Sequence, residues 1–140
     1  MIKNISTYKK TLKDIDLQEK HIANEKLRFR QMGLTEEQVK QAIQPLLSFL
    51  ENLREDAIEY EEIKAGNFEN MTSLHSIGKL LVAGRIFKEV TQGELASRLG
   101  VAESQISRDE KNEYYGSSIE KLVSVSTALE IDIEISINMN

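Results

Sequence analysis

A chain of 140 residues holds one ordinary domain, or one small domain with a helical appendage, which excludes a large multidomain enzyme. At 40% hydrophobic, 29% charged and 6% aromatic, with seven Gly and one Pro, the composition excludes a disordered or fibrous protein and points to a helix-rich globular one. Eighteen basic against twenty-three acidic residues give a net charge of -5, so any basic footprint for nucleic acid must be local, and the lack of cysteine excludes disulfides, thiolate metal sites and a cysteine nucleophile.

Lys3, Lys9 and Lys10 are not followed by the apolar stretch of a secretory leader, and no run approaches the eighteen or so apolar residues of a membrane span, so the expected setting is cytoplasmic with no membrane partner. Ile5, Tyr8, Leu12, Ile15, Ile22 and Phe29 recur at spacings of three, four or seven, one stripe of a helix. Glu19 and Lys26 interrupt a strict heptad, so this seam broadens into ordinary globular packing. Thr35 and Gln38 form a capping box after the turn at Gly33, and Val39, Ile43, Leu46, Leu50, Leu53, Ala57 and Tyr60 then repeat at four and three. Two such stripes predict a long helical hairpin. Pro45 lacks a backbone donor, so the second helix either kinks there or restarts with Pro45 in its first turn.

Charge is uneven along the hairpin. Residues 1 to 30 carry eight Lys or Arg against four acids, and residues 51 to 62 carry six acids against Arg54 alone. These are solvated faces with incidental ion pairs, or a surface for oligomerisation or a partner. Ala65, Gly66, Asn67 and Phe68 close the hairpin with Gly66 as a left-handed stop, and Glu69 to Thr72 read as a linker. The predicted domains are therefore 1-68 and 69-140.

Ser73 to Lys88 places Leu74, Ile77, Leu80, Leu81 and Ile86 on one broad face of a helix. Thr91 and Glu94 form a further capping box, opening a short helix whose Leu95, Ala96 and Leu99 face inward before Gly100 ends it. Another helix starts around Ala102 and runs to Glu110 with Ile106 as its buried anchor. A short helix, a glycine turn and a second helix make a helix-turn-helix unit. Ser117 and Glu120 read as the capping box of a last helix carrying Ile119, Leu122, Val125 and Leu129. Beyond it the period changes to two: Ile131, Ile133, Ile135 and Ile137 alternate with polar residues, the pattern of a strand with one buried face. That strand has no partner elsewhere in the chain, so it is expected to pair with a second copy across a twofold axis, giving a homodimer, or to dock on a different protein. The expected fold is mainly α, with an N-terminal helical hairpin, a four-helix C-terminal unit and one β-strand.

At this point Gln92-Gly93-Glu94-Leu95-Ala96, Leu99-Gly100-Val101 and Gln105-Ile106-Ser107-Arg108 resemble the Cro/repressor (XRE-type) helix-turn-helix, over roughly Ser73 to Leu129, about half the chain. The resemblance implies a lambda-repressor-like domain and a sequence-specific transcriptional regulator, a dimeric repressor reading a palindromic operator in double-stranded DNA. The stretch Arg108 to Gly116 and the preceding hairpin resemble a subgroup that includes antitoxins, which implies as an alternative a protein that binds a toxin and represses their shared promoter. In such a motif Gln92 positions a phosphate beside the helix amides, while Glu103, Ser104, Ser107 and Arg108 face the major groove, with Arg108 as the guanine reader and Gln105 reaching either a base or the backbone. Arg85 and Glu110 stand where similar proteins form a bracing ion pair.

Three departures stand out from that pattern. Ala102 replaces the usual capping hydroxyl, Glu103 is acidic where Gln is common, and Glu89 replaces a glycine after the first helix of the motif. Glu103 and the acidic balance keep open a third reading, a protein-binding helical adaptor without DNA affinity. Nothing predicts an enzyme, a cofactor or a metal site. His21 and His75 lie in different halves, and Glu36-Glu37 and Glu61-Glu62 are adjacent on helices and point apart. Tyr114 and Tyr115 pack the end of the third helix or touch phosphate.

Overall fold

A computed structural model describes residues 1–68 and 71–139. The chain divides into two compact units, Met1–Glu61 and Glu62–Asn140. Of the expected linker, Glu69 and Asn70 lie outside the described residues.

The first unit is built on α1 (Ile5–Gln31) and most of α2 (Glu36–Lys64). Asn4 caps α1 by accepting the Thr7 amide at 2.8 Å. Gly33, at φ +86°, turns the chain, and Thr35 and Gln38 exchange side-chain to amide bonds at 3.2 and 2.9 Å to start α2. α2 runs through Pro45 without a restart, although this residue has no amide proton to donate. Ile22, Ile43 and Leu50 form the seam, with Ile15, Phe29, Leu46 and Leu47 packed against it. At the open end Tyr8 stacks on Tyr60 with ring centroids 4.7 Å apart and donates its hydroxyl proton to Glu61.

The second unit begins in the last turn of α2, where Ile63 is buried and Gly66 stops the helix at φ +84°. A 3₁₀ turn, Leu74–Ser76, leads into α3 (Ile77–Phe87), so the single helix expected from Ser73 is divided. α4 (Gln92–Leu99), α5 (Glu103–Lys111) and α6 (Ile119–Ala128) follow. Leu81, Val82, Leu95, Ile106, Val125 and Leu129 make their common core. α6 is capped by Ser118, which accepts the Lys121 amide at 3.2 Å, one residue later than the expected Ser117.

The expected C-terminal β-strand is overturned: among the described residues there is no strand, and Ile131, Ile133, Ile135 and Ile137 belong to an extended, unpaired segment. A strand needs a neighbour to take its backbone donors and acceptors, and none lies beside this segment in the chain. The alternation instead follows local burial. Ile131 and Ile133 are half-buried, and together with Ile135, Leu74, Ile77, Ile119 and Val123 they help line a cleft of about 610 Å³, although Ile135 is 70% exposed; Ile137, outside that lining, is 80% exposed. Ile131 reaches α3 because Gly84 has no side chain: a Cβ there would lie 2.3 Å from the Ile131 Cδ1.

A closer approach occurs at Gly78 in α3, where a Cβ would fall 1.7 Å from the Glu113 carbonyl oxygen. Backbone cannot yield there as a flexible side chain does. Gly78→Ala is expected to destabilise the second unit by roughly 3 kcal/mol, measured as a lower urea midpoint by circular dichroism. An unchanged midpoint would show that this contact does not constrain the fold.

Candidate nucleic-acid interface

The helix-turn-helix is set up by local chemistry at three points. Thr91 and Glu94 exchange side-chain to amide bonds at 3.0 and 3.1 Å, fixing the start of α4. Gly100 adopts φ +69° and ψ +30°, the left-handed stop that turns the chain toward α5. Ala102 then occupies the cap of α5 with φ -72° and ψ 145°, a cap-compatible backbone with no side-chain hydrogen bond.

One buried carboxylate holds α5 in place. Glu110 accepts from Arg85 Nε at 2.6 Å and from Nη2 at 2.8 Å, a two-pronged pair whose side chains are 3% and 0% exposed. Arg85 also donates through Nη1 to the Val90 carbonyl at 2.9 Å. Gln92 Nε2 donates to Glu110 Oε1 at 2.7 Å. α3, α4 and α5 thus meet at a single carboxylate. The expectation that Gln92 faces a phosphate must be set beside this geometry, in which the half-buried side chain turns its amide inward.

With Ile106 and Glu110 buried, the opposite side of α5 is exposed: Glu103, Ser104, Ser107, Arg108 and Lys111. Lys111 was not singled out in the sequence, although it continues this outward face four residues beyond Ser107. Gln105 is half-buried, donating to Asp109 Oδ1 at 3.0 Å and accepting from Arg108 Nη2 at 3.0 Å. Lys121 Nζ lies 2.8 Å from Asp109 Oδ2, an ion contact without hydrogen-bond alignment. Glu103 leans over the start of α4, since a methyl group added at Gly93 would lie 3.3 Å from its Oε2. A carboxylate there is favoured by the unpaired amides of a helix amino terminus, the same field that would attract a phosphate.

Behind the motif Tyr114 is buried at φ +55° with no hydrogen-bond partner for its hydroxyl, and burial, with Glu110 and Asp109 nearby, raises that hydroxyl above its ordinary pKa. Tyr115 is exposed. Glu89 takes the left-handed conformation, φ +57°, expected of the glycine it replaces, and pairs with Lys64 at 2.7 Å, which lowers its carboxyl pKa. His21 lies in α1 and His75 in the 3₁₀ turn, and no group of three or more His, Cys, Asp or Glu among the described residues is placed to hold a metal ion. No helix among the described residues is long and apolar enough to cross a membrane.

No protein-family model, curated protein or solved structure matches this chain.

Two stability measurements test the scaffold of this face. Arg85→Met leaves Glu110 in the core without its cation, with the neutral Gln92 amide still donating to it, at an expected cost of about 3–5 kcal/mol, and adding Glu110→Leu should recover most of that loss. A double variant as unstable as the single one would contradict the pairing. Ala102→Ser supplies a capping hydroxyl at the start of α5, where the Gln105 amide bonds only the Ala102 carbonyl at 3.0 Å, and is expected to add about 0.5–1 kcal/mol, seen as a higher thermal midpoint.

Proposed function

We propose that the second unit binds double-stranded DNA as a helix-turn-helix module of the Cro/repressor type, and that the protein is a sequence-specific transcriptional regulator, a repressor. The observation that carries this reading is the outward side of α5, with Ser104, Ser107, Arg108 and Lys111 exposed around a rigid buried anchor. A helix presented this way fits a major groove, where side chains meet base edges. Arg108 donates through Nη2 to Gln105, and a fork onto the two acceptors of a guanine pairs Nη2 with Nε or Nη1, so reading a guanine requires Nη2 to release or share its contact with Gln105. Lys111, further along the same side, suits a phosphate. A dimer would carry two such helices to the half-sites of a palindromic operator.

Glu103 favours a second reading, a protein-binding adaptor. Its carboxylate lies at the start of α4, where a phosphate would otherwise bind, and must be displaced or tolerated by DNA. The two readings separate in a binding titration against a duplex selected from random sequences. For a DNA binder log affinity falls linearly with log salt. Arg108→Ala then costs about 1–3 kcal/mol and relaxes preference at one base position, whereas Lys111→Ala weakens all duplexes alike and reduces the salt slope by about one. Glu103→Gln tightens binding to every duplex. If no sequence is enriched and the wild type binds bulk DNA without preference, the sequence-specific regulator reading is wrong, and if it binds no duplex at all the adaptor reading stands instead.

A further inference from the structure

We infer that the helical hairpin is an interface for a second copy of this chain, forming an antiparallel four-helix bundle in which α1 of one copy lies against α2 of the other. The inference stands apart from DNA binding, because it rests only on residues of the first unit.

Two helices alone share a single seam, and the side chains on their flanks stay in water. One flank of this hairpin is identifiable from the bonds that cross it. Tyr8 reaches Glu61, and Arg54 Nη2 reaches Glu19 at 2.8 Å. Residues three, four or seven positions from these share their side of each helix. Those spacings also reach the seam residues Ile15, Ile22, Leu50 and Ala57 and the charged Asp16, Lys26 and Glu51, and the apolar residues that they place on the flank are Ile5, Leu12 and Ala23 on α1, with Leu27 one turn beyond, and Leu47 and Ile58 on α2. Ile5, Leu12, Leu27 and Ile58 are 53%, 42%, 56% and 53% exposed, an apolar strip that the hairpin does not cover itself.

The charge beside this strip specifies the occupant. The first thirteen residues of the chain hold Lys3, Lys9, Lys10 and Lys13 and no acid, whereas residues 51–61 hold five acids against Arg54. Part of this charge is used locally, with Lys10 on Asp14 and Arg54 on Glu19 and Glu51. Lys9 and Lys13 on α1, and Glu55 and Glu59 on α2, enter none of the ion pairs formed among the described residues. The basic and acidic segments lie at the same, open end of the hairpin, since Tyr8 stacks on Tyr60. A twofold axis running along the helices keeps the two open ends together and sets the lysines of each copy opposite the acids of the other, twice over. An axis across the helices would instead bring the lysine-rich start of α1 toward Arg28 and Arg30 of its twin, and the acidic end of α2 toward Glu36 and Glu37. The surface is therefore complementary to itself in one arrangement.

The test is the mass of the full chain in solution, by light scattering and sedimentation over a range of concentrations. The wild type is expected to be dimeric, with the dimer weakening as salt rises. Leu12→Glu/Ile58→Glu should raise the dimer dissociation constant roughly 30-fold or more, with unchanged helicity by circular dichroism. The orientation is tested with charge reversals that leave the seam intact. Lys9→Glu/Lys13→Glu and Glu55→Lys/Glu59→Lys should each disfavour the homodimer, because both interfaces become repulsive, and an equimolar mixture of the two should form the heterodimer. A wild type that stays monomeric at about 100 μM, well above the micromolar constants of ordinary weak pairs, overturns the inference. So does a dimer indifferent to Leu12→Glu/Ile58→Glu, or a mixture that fails to recombine, which would assign the strip to a different protein.

Discussion

The second unit depends on the charge of Glu110. A lone carboxylate in a protein interior is costly, and this one is tolerated because Arg85 offers it two parallel donors and Gln92 a third. These donors come from α3 and α4, and the acceptor comes from α5, so satisfying one group fixes three helices at one point. Apolar contacts between the same helices are less directional, and would allow α5 to rotate or slide at little cost. The hydrogen-bond geometry does not. Because Ile106 lies one turn before Glu110 on the same side of α5, the orientation of the whole helix is determined, and the exposure of Arg108 and Lys111 follows from it.

That rigid placement coexists with a weak electrostatic case for DNA. Glu110 is neutralised by Arg85, and Asp109 lies against Lys121, so the outward side of α5 is left with Arg108 and Lys111 against Glu103. Such a balance gives little long-range attraction, in keeping with the net charge of -5. Under the proposed function, binding would rest on shape and a few base contacts more than on phosphate neutralisation, and doubling of the reading head would matter correspondingly more.

Much of the helical framework was legible because it is encoded locally. Thr35 with Gln38 and Thr91 with Glu94 announced helix starts three residues apart, and Gly66 and Gly100 announced stops; all of these act within one turn and need no knowledge of the rest of the chain. The misreadings arise where the outcome depends on distant partners. The period of two from Ile131 to Ile137 is the pattern of a strand, but pairing requires a second backbone, and without one the segment lies extended with only its first isoleucines half-buried against the unit. Gln92 is not one of these misreadings, but its amide nitrogen donates to a carboxylate eighteen residues away, a contact that no local pattern shows. Ser118 rather than Ser117 caps α6, a choice between adjacent equivalent hydroxyls that only the backbone path decides. Lys111 escaped notice because a lysine near a helix end is ordinary on composition alone, and its significance lies in sharing a side with Ser107.

The two units illustrate different solutions to small size. The second closes a core around Leu81, Leu95, Ile106 and Leu129, and adds a buried ionic cluster that makes the arrangement specific. The first has no comparable interior: Ile22, Ile43 and Leu50 form one seam between two long helices, and aliphatic side chains remain in water on the flank that Tyr8, Glu19, Arg54 and Glu61 define. Helices in proteins are held mainly by the packing of one apolar face rather than by propensity. A hairpin whose two arms carry opposite charge at one end contains what a twin would require, so under the proposed dimer the segregation of lysines from acids in the sequence and the apolar strip in the structure would have one common physical explanation.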